Sequence, residues 1–148
     1  MDTERNKVVC REMMERAFNQ GDVTAIETYN APDGVDHQEP PGTDFITHLK
    51  QVVTAMRTAF PDLHFELHEM VAEGEIVAFR STMTGTQTGP LSLLPGRTLP
   101  PTGNKVSVPH MHFVRVVDGK TTDLWHVWNI PMMQQQLGVA PAPMATQR

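Results

Sequence analysis

Two histidines two residues apart, His110 and His112, lie in an alternating run, Val106-Ser107-Val108-Pro109-His110-Met111-His112-Phe113-Val114-Arg115-Val116. A second run, Asp123-Leu124-Trp125-His126-Val127-Trp128-Asn129, follows it across Asp118-Gly119. A neutral imidazole has a lone pair of the right basicity to take a proton near pH 7, and an amide can hold a carbonyl oxygen. The chemistry suggested is proton abstraction with stabilisation of the oxygen that becomes negative. His112 is the candidate base, Asn129 the candidate oxygen-binding partner, and Asp123 a carboxylate that could act if the turn brings it inward. A histidine on a half-buried strand is also commonly a packed or solvated residue with no catalytic part.

These assignments depend on a hairpin. Asp-Gly supplies the positive φ of a two-residue turn, and alternate residues of a strand share a face. With Asp118 and Gly119 in the turn, Val117 faces Lys120. Counting outward pairs Val114 with Asp123, His112 with Trp125, His110 with Val127 and Val108 with Asn129. One face then carries His110, His112, Asp123, Trp125 and Asn129, and the other Met111, Phe113, Leu124, His126 and Trp128. A shift of one residue would exchange the sets on the returning strand. The His-x-His spacing would also suit a metal, with His37 or Asp123 as third ligand.

Upstream, residues 3–20 carry apolar positions at helical spacing, including Val9, Cys10, Met13, Met14, Ala17 and Phe18. Gly21-Asp22 ends that helix, and Asp22 can cap a short second one to about Tyr29. Ala31-Pro32-Asp33-Gly34 reads as a break before a short extended piece, 35–38. A third helix has Phe45, Ile46, Leu49, Val52, Val53, Met56 and Phe60 on one side, with Thr43 or Asp44 as cap and Pro61 as its stop. Two alternating segments around Glu73-Gly74 predict a strand hairpin. Residues 88–104, rich in Gly, Pro and Leu, read as a long loop, either a flap over an apolar cavity or a cover for the sheet edge. Pro131 opens a last short helix that Gly138 ends. Helices followed by a run of strands predict an α+β domain over residues 1–139, with 140–148 as a flexible tail.

The chain has 148 residues, a formal net charge of −5 and one cysteine. One domain is expected, and the scattered Lys and Arg argue against nucleic acid or an anionic membrane as partner. No apolar run long enough to span a bilayer and no signal-type N-terminus occur, which leads to the expectation of a cytoplasmic protein. Cys10, among apolar neighbours, reads as a small buried hydrophobe.

Several strings, in order, resemble the SnoaL-like polyketide cyclase family, within the nuclear transport factor 2-like group. They are Ala17-Phe18-Asn19-Gln20-Gly21-Asp22, Asp36-His37 before Pro40-Pro41-Gly42, Phe60-Pro61-Asp62-Leu63, Gly85-Thr86-Gln87-Thr88-Gly89, Pro100-Pro101-Thr102-Gly103, Asp118-Gly119-Lys120 and Gln135-Gln136-Leu137-Gly138. The resemblance implies a cone-shaped, curved antiparallel or mixed sheet wrapped over N-terminal helices and enclosing one apolar pocket. It also implies a cyclase or isomerase that acts on a polyketide-like or other apolar carbonyl compound without cofactor or metal. In such members an acid near the end of the last long strand removes the proton, and the position that looks equivalent here is Asn129, which cannot serve as base. His37, His110 and Trp125 are the expected pocket-lining, substrate-binding residues. A non-catalytic carrier of a small ligand, or a hydroxylase or hydrolase of the same fold, are the alternatives. The apolar outer face of the hairpin predicts a homodimer through the convex side of the sheet.

Overall fold

The computed structural model describes residues 2–92 and 97–139. Helix α1 (Thr3–Met13) starts at Asp2, whose side chain accepts the Arg5 amide. It continues as a π-helical segment, Met14–Asn19. Cys10, Met14 and Phe18 are spaced by four, and the wider turn keeps all three on one side. Asn19 then fastens this end to the sheet: its amide nitrogen donates to Phe65 O at 3.1 Å and its oxygen accepts Phe65 N at 2.7 Å. Arg57 ties the same end to the third helix by donating to the carbonyls of Phe18 and Asn19.

Helix α2 (Thr24–Tyr29) leads into β1 (Asn30–Asp36). The expected break at residues 31–34 is part of this strand, but the ladder skips it, with partners recorded at Asn30 and again at Val35 and Asp36. Pro32 and Gly34 fall in the irregular stretch, where the lost donor and the missing side chain weaken no continuous ladder. Helix α3 (Phe45–Ala59) is capped by Asp44, which accepts the Thr47 amide. Its stripe Phe45, Leu49, Val53, Met56 and Ala59 is buried. Strands β2 (His64–Glu73), β3 (Ile76–Thr86), β4 (Lys105–Val117) and β5 (Lys120–Trp128) follow, then α4 (Ile130–Gln136). The sheet is open and mixed, in the order β1-β5-β4-β3-β2, with β1 parallel to β5 and the other pairs antiparallel. One face packs on the helices through a core that includes Phe60, Leu63, Phe65, Val77, Met83, Val108 and Met133. Cys10 belongs to that core, and burial pushes its thiol up to about 12 against the opposing Arg11 charge.

The β4–β5 turn has the expected conformation, with Asp118 at φ 50° and Gly119 at φ 79°. Val117 pairs with Lys120 and Val116 with Thr121, but the next partner of Arg115 is Asp123. Thr122 is therefore an extra residue, a β-bulge, and every later residue of β5 is displaced by one from the counted register. His112 faces His126 instead of Trp125, and His110 faces Trp128 instead of Val127. Leu124, His126 and Trp128 thus share the helix-side face with His110 and His112, and Asp123, Trp125 and Val127 point to the other side.

The loop after β3 is anchored. Gln87 is fully buried, donates to Gly89 O and Pro100 O, and accepts from Thr102 Oγ1 at 2.7 Å. Leu91 and Leu99 pair across the loop and enter the core; Leu93 and Leu94 lie outside the described residues, as does the expected tail. No helix among the described residues is long and apolar enough to cross a membrane. Gly89 lets the loop approach α3, because a Cβ there would stand 2.0 Å from Thr58 O. Gly89→Ala should therefore lower unfolding stability by about 1–3 kcal/mol in urea titrations. An unchanged midpoint would show that the loop is not held at this contact.

Candidate active site

A cavity of about 730 Å³ opens between the helix-side face of the sheet and helices α1 and α3. Most of its wall is apolar, with Met13, Met14, Phe18, Val52, Met56 and Phe65 among the lining residues. Its polar side is made by His110, His112 and His126 from the hairpin, with Asp36 at the end of β1, Glu39 in the following turn and His48 on α3. A wide apolar wall with a few converging polar groups is the usual make-up of a small-molecule site.

The polar groups form a chain. Asp36 Oδ2 lies 3.1 Å from His126 Nε2, and His126 Nδ1 lies 3.1 Å from His110 Nε2. The His110 ring stacks on His112 with centroids 4.1 Å apart, and His112 Nε2 is 3.0 Å from Ser81 Oγ. Burial alone would push the Asp36 carboxyl up, but hydrogen bonds from His126 and the Gln38 amide, with the His126 and His48 charges, hold it below the ordinary range. An ionised carboxylate only accepts, so His126 Nε2 carries the proton and donates to it. Nδ1 of a neutral His126 then accepts from His110 Nε2. This leaves His110 Nδ1 as a bare lone pair, buried and without a hydrogen-bond partner among the described residues.

The two strand histidines are kept neutral. Burial, assisted by repulsion from His126 in its protonated form, pushes His110 down to about 3. Burial and the neighbouring His110 and His126 put His112 well below its ordinary value. His126 differs in having a carboxylate on one nitrogen and in being partly open to the cavity, with its side chain 22 % exposed. Among the three, it is the imidazole whose protonated form has a counter-charge in contact.

Of the residues singled out in the sequence, the structure brings His110 and His112 to the cavity and leaves the others outside its lining. Asp123 and Trp125 project to the outer face because of the Thr122 bulge. There His37 donates to Asp123 Oδ1 at 2.9 Å and stacks on Trp125 at 4.3 Å. The imagined metal set of His110 and His112 with His37 or Asp123 is split between the two sides of the sheet. Asn129 accepts the Met132 amide as the N-cap of α4. The residues that sequence reasoning missed are Asp36, Glu39, His48 and His126. His48 could have been found, since it is three past Phe45 and four before Val52 on the stripe of α3. Asp36 stood within the Asp36-His37 string, and only its neighbour was taken as the functional member.

A histidine whose folded pKa is depressed binds protons more readily when unfolded, so stability falls as pH drops below about 6.5 and continues to fall toward the folded pKa. Each of His110 and His112 should cost about 1.4 kcal/mol per pH unit in that window. Urea titrations at pH 7 and pH 5 should show a loss exceeding about 2 kcal/mol, and His112→Asn should reduce it. Equal stability at both values would mean that these rings are not held neutral.

No curated protein matches the chain. TsrD from Streptomyces laurentii has the same fold, with a TM-score of 0.83 at 22 % identity over 95 % of this chain and 99 % of that one. AclR from Streptomyces galilaeus, described as a candidate hydroxylase, is 29 % identical over 97 % of this chain and 87 % of that one, with a TM-score of 0.77. IdmH from Streptomyces antibioticus, described as a candidate polyketide cyclase, is also 29 % identical, over 90 % and 99 %, with a TM-score of 0.74. The family model for SnoaL-like polyketide cyclase matches residues 8–137. With that match over most of its length, and with the α+β fold to accompany it, the chain belongs to the SnoaL-like polyketide cyclase family.

Proposed function

We propose that this protein is a cofactor-independent enzyme that removes a proton from an activated carbon of an apolar, polyketide-like carbonyl compound and stabilises the enolate, as a cyclase or isomerase does. The observation that carries this reading is the Asp36–His126–His110 chain set into the wall of an apolar cavity. The bare Nδ1 of His110 takes the proton while the Nε2 proton of His110 passes to His126 Nδ1, so the positive charge ends on His126, where Asp36 faces the imidazolium much as a carboxylate orients and compensates a catalytic histidine elsewhere. His112, the base expected from spacing, is better suited to hold the substrate oxygen. It stays neutral, and when the Ser81 hydroxyl donates to Nε2 the hydrogen of the ring is on Nδ1. A neutral imidazole can donate one hydrogen bond to a developing enolate without a full charge being buried. The 3.1 Å contact from His110 Nε2 to His126 Nδ1 is the step along which that proton passes.

The outer face bears Met111, Phe113 and Val127, exposed by 51, 46 and 67 %, with Trp125 beside them. This apolar strip supports a homodimer joined through that side of the sheet. The bulge changes its composition from the counted one, since Leu124 and Trp128 point to the helix side. Phe113→Glu should turn a dimer into a monomer in sedimentation velocity, and a wild-type monomer would remove the idea.

Proton abstraction can be tested before the natural substrate is known. An apolar aromatic 1,3-diketone in D₂O should exchange its central C–H faster with wild-type protein than with buffer alone, followed by proton NMR. His126→Gln should lower that rate by about 10²–10⁴-fold, and Asp36→Asn should lower it as well. Saturable binding with no faster exchange would instead favour a carrier.

A further inference from the structure

At the rim of the cavity, Asp36, Glu39 and His48 present Oδ2, Oε1 and Nε2 to one another, all within 4.8 Å. We propose that these three side chains bind one divalent transition-metal ion of the zinc, cobalt or manganese type. His48 Nε2 stands 3.2 Å from Glu39 Oε1 and 3.6 Å from Asp36 Oδ2. The longer distance is outside hydrogen-bond range, so one imidazole proton does not serve both carboxylates. His126 also contacts Asp36, but as the neutral ring of the chain described above it brings no charge, so two carboxylates against His48 leave excess negative charge beside an Asp36 side chain only 3 % exposed. A buried carboxylate in such a group calls for a cation.

The spacing suits an ion. Metal–ligand bonds of about 2.0–2.2 Å in a tetrahedral site put neighbouring ligand atoms about 3.3–3.6 Å apart. Both separations from His48, 3.2 and 3.6 Å, lie on that scale, and Asp36 Oδ2 and Glu39 Oε1 stand within 4.8 Å of each other. One imidazole and two carboxylate oxygens form a borderline set that fits Zn²⁺, Co²⁺ or Mn²⁺ better than a thiophilic ion. Three protein ligands leave a coordination position for a ligand in the cavity.

The supports of the three side chains are those a metal site requires. Asp36 accepts from the Gln38 amide on Oδ1 at 3.0 Å and from His126 Nε2 on Oδ2 at 3.1 Å, the outer hydrogen bonds that hold a ligating carboxylate in place. Oδ2 keeps a second lone pair for the ion. The Glu39 amide donates to Asp36 O at 3.1 Å, which closes the turn that returns Glu39 to Asp36. His48 is fixed one turn into α3, four residues past the Asp44 cap, its amide bonded to Asp44 O at 2.9 Å. This site does not depend on proton transfer by His126, and its occupation is read without any substrate.

Co²⁺ is the probe, because its visible absorption reports coordination by nitrogen and oxygen. Full-length protein stripped with a chelator and dialysed free of it should bind one equivalent of Co²⁺ by calorimetry, with a d–d band that Zn²⁺ abolishes. His48→Ala and Glu39→Gln, each checked for folding by circular dichroism, should weaken binding by at least about 10–100-fold. His37→Ala, which removes an imidazole on the opposite side of the sheet, should leave the titration unchanged. Absence of stoichiometric binding by folded wild-type protein would overturn the proposal. Binding that survives His48→Ala, or that His37→Ala removes, would overturn it equally by placing the ion elsewhere.

Discussion

Thr122, the one residue of the β4–β5 ladder without a partner, decides what the cavity contains. Without the bulge, Asp123, Trp125 and Val127 would face the helices, and Leu124, His126 and Trp128 would face outward. The observed register puts Leu124 and Trp128 against the core and lets Asp123 meet His37 and Arg115 at the outer surface. Burying Asp123 without a partner would carry a desolvation penalty of several kcal/mol, and exposing Leu124 would forfeit about 1.5–3 kcal/mol. Both terms favour the bulge over an uninterrupted hairpin.

The same register joins strands that are far apart in sequence. His126 can reach Asp36 because β1 runs parallel beside β5, with Asp36 opposite Leu124. It can reach His110 because the two rings lie on one face of neighbouring strands. The helices close the opposite side: Asn19 and Arg57 fix the π-helical end of the first helix to β2 and α3, and the methionine-rich inner surfaces form the apolar wall. The polar groups therefore work in a place where charge is costly. Two histidines are held neutral there, and His126 is the one with a carboxylate in hydrogen-bond contact.

Much of this fold was legible because its signals are local and strong. Asp44 as cap, Pro61 as stop, the stripe of α3, the Asp118-Gly119 turn and Cys10 as a core residue all follow from the chain itself. The candidate site was legible only by half. His110 and His112 were placed together by their spacing, but β5 carries a tryptophan on each alternation, so periodicity gave no preference between registers. Trp125 and Trp128 are equally credible inward residues until the bulge is seen. Asn129 was read through a family position, whereas its amide is taken up in starting α4. Asp36, Glu39 and His48 come from a strand end, a turn and a helix, and only the tertiary fold brings them together.

The central claim is that Asp36, His126 and His110 form one directed hydrogen-bond chain in the cavity wall. Nitrogen-15 NMR of the labelled imidazoles at neutral pH reads it most directly, because bare, hydrogen-bearing and doubly protonated ring nitrogens resonate separately. The account predicts a proton on Nε2 of both His126 and His110, a bare Nδ1 on His110, and loss of the His126 pattern in Asp36→Asn. A doubly protonated His110, or a His126 spectrum indifferent to Asp36, would contradict it.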